Sequence, residues 1–329
     1  MIVTFTANPS LDRTIELPAI LDRGGVQRAF ATHEQPGGKG VNVSRALIAS
    51  ELDTIALLPG SSGDPMLVAL RAERIPVASL PIAGRIRSNI TLTEPDGTTT
   101  KINEPGPSLD ESDEFALIDL VVSHARDAEW LVLAGSLPPG LPVDFYARVV
   151  RAVHEDVADR EGDGTGPRIA VDSSGAPLAA LIESGVGVDL IKPNAEELAE
   201  LSGVGDEASL EADPGAAFVA AAGLVARGVG AVLATLGSRG AVLATADGGW
   251  YATMPPIVPV STVGAGDSSL AGYLVADQHG AKPDQKLAQA VAHGSAAAAL
   301  PGSTMPSRSQ TRPETATVTI LDSSALLAD

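Results

Sequence analysis

The chain is predicted to be an α/β protein, a three-layer α/β/α sandwich in which a mostly parallel sheet is covered by helices on both faces. Three observations lead there. Short β-favouring runs recur along the chain, Ala-, Leu- and Glu-rich segments with helical spacing lie between them, and the runs are apolar nearly throughout rather than alternating. A strand that is apolar on both sides must be covered on both sides, which is the situation of a parallel strand between helix layers. With 329 residues and 44% hydrophobic content there is ample material for a large core, and the strand–helix rhythm predicts a single domain over 1–329.

The buried strands are expected at Ile2–Thr6, Leu131–Ala134, Ile169–Val171, Leu190–Ile191 and Ala231–Leu236, each bounded by Gly, Pro, Asn or Ser. Helices are expected over Val41–Ser50, Ser112–Ala125, Pro142–Ala158, Ala195–Leu201 and Pro214–Arg227. Two stretches break the rhythm. Arg87–Thr93 and Thr98–Asn103 are Thr-rich, alternate in polarity and flank the turn Pro95-Asp96-Gly97, and Leu11–Leu17 has the same character. Half-polar strands of this kind predict a small antiparallel sheet, contributed by about 11–36 and 85–104, that acts as a lid; the plain alternative is a decorative hairpin. Asp159–Pro167 reads as an exposed polar loop, and the Ser/Thr-rich tail beyond Pro301 as surface.

Charge narrows the function. Twenty-two Lys+Arg against 41 Asp+Glu give a net charge of −19, which argues against a nucleic-acid or anionic-membrane partner. An anionic substrate would need local cations and backbone N–H groups to overcome that field. The absence of cysteine excludes disulfides, thiolate nucleophiles and Cys-ligated metals. The N-terminal MIVTFTANPSLDRTIEL shows no basic leader, and no apolar stretch approaches the ~18 residues of a spanning helix, so a cytoplasmic location is expected.

Four turns carry the chemistry. In Pro36-Gly37-Gly38-Lys39-Gly40-Val41-Asn42, glycines permit close backbone approach just before a helix, with a lysine and an amide suited to a phosphorylated or polyhydroxy ligand; a tight turn is the alternative. It is not a Walker loop, because Gly40 follows the lysine. In Ser261-Thr262-Val263-Gly264-Ala265-Gly266-Asp267-Ser268, a glycine pair runs into a helix expected from about Ser269 to Asp277. Asp267 is there either an N-cap worth about 1 kcal/mol or a base beside an anion-binding nest, kept ionised by the helix dipole. Lys192-Pro193-Asn194-Ala195-Glu196-Glu197 and Thr235-Leu236-Gly237-Ser238-Arg239-Gly240 each follow a strand, at the sheet edge where ligands gather. They could equally be a Pro-led helix start and a simple hairpin. Gly266-Asp267-Ser268-Ser269-Leu270 also has a GDSL-esterase look, with His279 or His293 as base, although such a serine normally lies near the N-terminus.

Together with Asn8-Pro9-Ser10-Leu11-Asp12, AGSLP from Ala134 and VDSSG from Val171, these turns resemble, in order and over almost the whole chain, the ribokinase-like sugar kinases of the phosphofructokinase-B branch. The resemblance implies transfer of a phosphoryl group from ATP, with Mg²⁺, to a ketohexose monophosphate: foremost the C6 hydroxyl of fructose 1-phosphate, with fructose 6-phosphate and tagatose 6-phosphate as alternatives, and a non-catalytic sugar-phosphate sensor as the rival of another class. It makes Asp267 the base and gives Val263, Gly264, Ala265 and Gly266 as the phosphoryl cradle. It assigns Asp12, Gly38 and Asn42 to sugar hydroxyls, and Lys39, Arg87 and Lys101, with Ser136 nearby, to the substrate phosphate; Arg85 is the alternative to Arg87. It assigns Lys192, Asn194, Thr235, Gly237, Ser238 and Gly240 to the nucleotide, Gly294 to the neighbourhood of adenine, and Glu197 to Mg²⁺. The lid can also pair two subunits.

Overall fold

The computed structural model describes residues 1–160 and 166–321, so residues 161–165 of the expected polar loop, and the tail beyond 321, lie outside the described residues. In chain order the elements are β1 (Ile2–Thr6), β2 (Ser10–Glu16), β3 (Ala31–Gly37), α1 (Lys39–Ala49), β4 (Thr54–Pro59), α2 (Pro65–Ala72), β5 (Val77–Leu80), β6 (Arg87–Thr93), β7 (Thr99–Asn103), α3 (Glu111–Ala125), β8 (Trp130–Ala134) and α4 (Phe145–Asp159). Then come β9 (Arg168–Asp172), α5 (Gly175–Glu183), β10 (Leu190–Ile191), α6 (Ala195–Ser202), α7 (Glu207–Ala212), α8 (Pro214–Ala226), β11 (Ala231–Thr235), β12 (Ala241–Thr245), β13 (Gly248–Thr253), α9 (Ala265–Gln278), α10 (Pro283–Ala298) and β14 (Thr317–Leu321).

Ten strands form the central sheet in the order β14-β13-β12-β11-β10-β9-β8-β1-β4-β5. Every neighbouring pair from β11 to β5 is parallel, and β12, β13 and β14 extend the sheet antiparallel. The alternation of side chains along each strand feeds two cores. Val3, Phe5, Leu131, Leu133, Ile169 and Val171 face one helix layer, while Ile2, Trp130, Val132, Ala134 and Ala170 face the layer containing α1, α9 and α10. The three-layer sandwich is as expected. Because the strands run in parallel, the residues that follow β1, β8, β9, β10 and β11 all emerge on one edge, and the site is built there.

The lid is a separate four-stranded sheet, β3-β2-β6-β7. Its outer pairs are antiparallel as expected, but the central pair β2/β6 is parallel. A hairpin turn joins only antiparallel neighbours, and β6 and β7 are so joined through Gly97 at φ +88°. By contrast β2 and β6 each leave the main sheet independently, after β1 and β5, and enter the lid in the same direction.

The tail beyond Pro301, expected on the surface, is partly structural. Ser303 and Thr311 are buried and β14 pairs with β13 along its length.

Candidate active site

The turn at Gly264 makes the centre of the site. Helix α9 begins at Ala265, earlier than expected, with Gly264 as N-cap at φ +77°, a left-handed conformation that favours glycine. Asp267 therefore sits inside the first helical turn and does not cap the helix. Its carboxylate accepts instead from Asn42 Nδ2 on α1, at 2.8 Å. The side chain is buried, and burial, followed by the negative charge of Asp172, pushes its pKa up to about 6 against the opposing pull of Lys39, Lys192 and the Asn42 hydrogen bond. The helix dipole was expected to keep this group ionised; desolvation outweighs it and leaves a carboxylate suited to taking a proton near neutral pH. Of the proposed cradle, Val263 N–H is committed to Ser261 Oγ and Ala265 N–H to the Thr262 carbonyl, both at 3.3 Å. Among the described residues Gly264 and Gly266 N–H have no acceptor, so the turn presents two open donors rather than four.

The Lys39 ammonium lies 2.6 Å from Asp172 Oδ1 and 3.9 Å from Glu197 Oε1. The reason is local. Gly38 and Gly40 pack against Thr6 on β1, where a Cβ on either would come within 2.8 Å of a Thr6 side-chain atom, and Thr6 Oγ1 accepts Val41 N–H in place of a side-chain N-cap. Helix α1 thus starts tight against the sheet and directs Lys39 toward the end of β9. Burial alone would lower the Lys39 pKa, but Asp172, Glu197 and Asp267 overcome it and raise it. Lys192, at the end of β10, reaches the other oxygen of Asp172 at 3.0 Å. A Cβ on Gly266 would lie 3.1 Å from Lys192 Nζ, so that ammonium faces the backbone of the cradle. Asp172 itself is wholly buried; burial works to raise its pKa, yet Lys192 and Lys39 hold it below the usual carboxylate range.

In the Lys192–Glu197 turn, expected to meet the nucleotide, the helix-start reading is observed. Asn194 caps α6 by accepting Glu197 N–H at 2.7 Å, and Glu197 Oε2 accepts Asn194 N–H at 2.9 Å. Glu197 Oε1 stays on the Lys39 side. Asn194 bridges to Thr235 and Thr235 N–H bonds the Pro193 carbonyl, which joins this turn to the Gly237–Gly240 turn. The latter is a short 3₁₀ connection between β11 and β12, with Gly237 at φ +55°, exposed Ser238, and Gly240 at φ +106° against the Ala252 carbonyl. Gly294 is buried where α10 crosses the start of α9, and a Cβ there would meet Ser269 Oγ at 2.3 Å and the Ala265 carbonyl at 3.3 Å, which places it behind the Gly264 turn.

The sugar side joins the lid to the sheet edge. Asp12 on β2 pairs in register with Asn89 on β6 and Gln35 on β3. Its Oδ1 accepts from Ser10 Oγ at 2.7 Å and Asn89 Nδ2 at 3.1 Å, and burial raises its pKa in spite of these bonds and of Arg87 and Lys101. Arg87 donates to the carbonyls of Asn8 and Glu104, at 3.1 and 3.2 Å, while its Nε is buried without a partner. It lines a cleft of about 520 Å³ with Asn8, Ser136 and the Pro138–Pro139 turn. Arg87 and Ser136 are therefore brought together as predicted, whereas Arg85 is exposed and does not line this cleft. Lys101 is exposed on β7, on the same lid face as Asp12 by register.

Three functional features escape the sequence reading. Asp172 appears there only as part of VDSSG, although a carboxylate closing an apolar strand is a signal of a strand-end site. Asn89 lies inside the half-polar strand Arg87–Thr93, where nothing local distinguishes it. The tail supplies the third: Ser303 Oγ donates to Gln35 Oε1 at 2.8 Å, Arg45 donates to the Ser303 carbonyl at 3.0 Å, and Met305 Sδ accepts from Ser268 Oγ at 3.2 Å. The same contacts remove the esterase reading: Ser268 is fully buried on Met305, His293 bonds Ser50, and His279 bonds the Val275 carbonyl.

The chain belongs to the pfkB family carbohydrate kinases, whose family model matches residues 6–310, and its fold is the ribokinase-like sandwich the sequence implies. It is 34% identical over 281 residues to a 1-phosphofructokinase from Xanthomonas campestris, covering 83% of each chain. It is also 34% identical over 308 residues to a 1-phosphofructokinase from Haloferax volcanii, covering 93% of each. Among solved structures, phosphofructokinase-2 from Escherichia coli in complex with fructose-6-phosphate superposes with a TM-score of 0.82 at 29% identity, over 94% of this chain and 96% of that one. No helix among the described residues is long and apolar enough to cross a membrane.

Proposed function

We propose that the chain, acting as one kinase unit with its lid, transfers the γ-phosphoryl group of ATP to the C6 hydroxyl of fructose 1-phosphate, giving fructose 1,6-bisphosphate and ADP. The observation that carries this reading is the placement of Asp267: buried, making no cap to its own helix, held by Asn42, and on the turn whose Gly264 and Gly266 N–H groups are open. Asp267 accepts the proton of the attacking hydroxyl while the two amides and the Lys39 and Lys192 ammonium groups take up charge on the phosphoryl oxygens. Arg87, with Ser136 across the cleft, holds the substrate phosphate, and Asp12 with Asn89 orients ring hydroxyls. A sensor would have no use for such a base.

Among the described residues no three carboxylate or imidazole groups converge to cage a metal. Both Asp172 oxygens and one Glu197 oxygen are already engaged. That fits Mg²⁺ arriving on the nucleotide phosphates and meeting Glu197 Oε1 through water, where it would neutralise phosphate charge. The second lid face carries Ile15, Ile90, Leu92 and Ile102, opposite to Asp12 by register, and supports pairing of two subunits through the lid.

A fructofuranose bears an arm on each side of the ring oxygen, so a pocket that grips one phosphorylated arm presents the other to Asp267. The E. coli neighbour, which carries fructose-6-phosphate, gives specific support to the 6-phosphofructokinase alternative. A coupled ADP-release assay with fructose 1-phosphate, fructose 6-phosphate and tagatose 6-phosphate tests the choice. The highest kcat/KM is expected with fructose 1-phosphate; preference for either other sugar overturns the substrate, and no ADP release with any overturns the kinase reading.

A further inference from the structure

Asp267 lies beside two ammonium groups and is ion-paired with neither. In a buried site the attraction between a carboxylate and a lysine is strong, so a lysine free to choose would settle on the base, occupy an oxygen and lower its affinity for a proton. Asp172 prevents this by position. It closes β9, wholly buried, and takes Lys39 on Oδ1 at 2.6 Å and Lys192 on Oδ2 at 3.0 Å. The two lysines come from separate elements, the start of α1 and the end of β10, so this one carboxylate fixes the place of both. Lys192 remains against the Gly266 backbone, and Lys39 between Asp172 and Glu197.

We propose that Asp172 is a positioning residue that draws both lysine ammonium groups off Asp267, leaving the base unpaired while the cations stay on the path of the phosphoryl group. This rests on Asp267 being the base. The charged groups around Asp267 are Lys39 on α1, Asp172 on β9 and Lys192 after β10, with Glu197 on α6 beyond Lys39. The other helix packed on α9 is α10, and it presents His293 to Gly272, further along the helix. The directions of titration agree: Asp172 stays ionised because of its two lysines, and its charge helps to raise Asp267.

The test is Asp172→Asn, which keeps the shape and removes the charge. One lysine is then expected to move onto Asp267. The acid limb of the kcat–pH profile should fall by about one pH unit, plateau kcat should drop roughly 10-fold, and KM for the sugar phosphate should stay within about 3-fold. Asp267→Asn is measured alongside. Near-normal turnover by that variant refutes the base itself, whereas an inactive Asp267→Asn together with an acid limb in Asp172→Asn that stays or rises refutes the role of Asp172. If Asp172→Asn does not fold by thermal melt, Asp172→Asn/Lys192→Gln removes one charge of each sign. The same downward displacement is expected there, and an unmoved limb again refutes the proposal.

Discussion

Replacing Asp267 by Asn should make the protein at once inert and harder to unfold. The folded state holds this carboxyl at a pKa of about 6 against an ordinary value of 3.8. Between those two pH values the folded chain binds more protons than the unfolded one, so stability contributed by this group falls as pH rises through the window and is flat above it. At 1.36 kcal/mol per pH unit, ionised Asp267 costs the folded protein about 3 kcal/mol above pH 6. Asn is close in shape and its carbonyl still accepts from Asn42, so the variant avoids that cost without opening a cavity. Thermal melts of both proteins from pH 4 to 8 should show a difference near zero at the acid end that grows to roughly 5 °C above neutrality. Over the same range kcat should be lower by about 10²- to 10⁴-fold, the usual worth of a general base. A variant that melts at or below the parent temperature at pH 8, or a difference that ignores pH, would refute the claim that desolvation sets the state of this carboxylate.

Other outcomes follow from the same geometry. Arg87→Ala should raise KM for fructose 1-phosphate about 10- to 100-fold, the worth of a charge-assisted contact, with KM for ATP within about 3-fold; a parallel rise in both would place Arg87 elsewhere in the mechanism. Glu197→Gln keeps the reciprocal cap of α6, since glutamine can also accept Asn194 N–H, so its melting temperature should stay within about 2 °C. The free Mg²⁺ giving half-maximal rate should nonetheless rise several-fold, and an unchanged Mg²⁺ titration would remove Glu197 from the metal. Gly240→Ala puts a Cβ into the Ala252 carbonyl at a positive φ, and urea unfolding should report a loss of at least about 2 kcal/mol, with KM for ATP raised as the turn shifts.

The sandwich was legible because its strands are apolar on both sides. Ile2–Thr6 and Leu190–Ile191 lie where the sequence puts them, and the remaining buried strands differ by a residue or two. The edges were less legible. Thr54–Pro59 is apolar but ends in proline, which argues against a central strand, and Val77–Leu80 has only four residues. Gly248–Thr253 and Thr317–Leu321 mix apolar residues with Gly and Thr, so periodicity alone gives them little contrast with loops, while Ala241–Thr245 repeats the sequence of Ala231–Thr235 and was equally readable. At the site, glycine turns advertised Asp267 and Asn42 because backbone constraints are written locally, whereas Arg87 came from the half-polar strand and the family resemblance. The partner of Lys39 was not advertised, since Asp172 is 133 residues away and only the sheet order brings it near. Ser303 and Met305 were hidden for the same reason: a polar tail gives no sign that it packs behind a distant helix.

That tail bears on when the protein becomes competent during synthesis. Asp267 sits on α9, late in the chain, and the residues that back its turn and fasten β3 of the lid come later still, at Ser303 and Met305. On the ribosome the lid strands emerge early and wait. A nascent chain can thus hold much of its sheet before the Gly264 turn gains its backing, and a segment made after α9 and α10 completes the pocket.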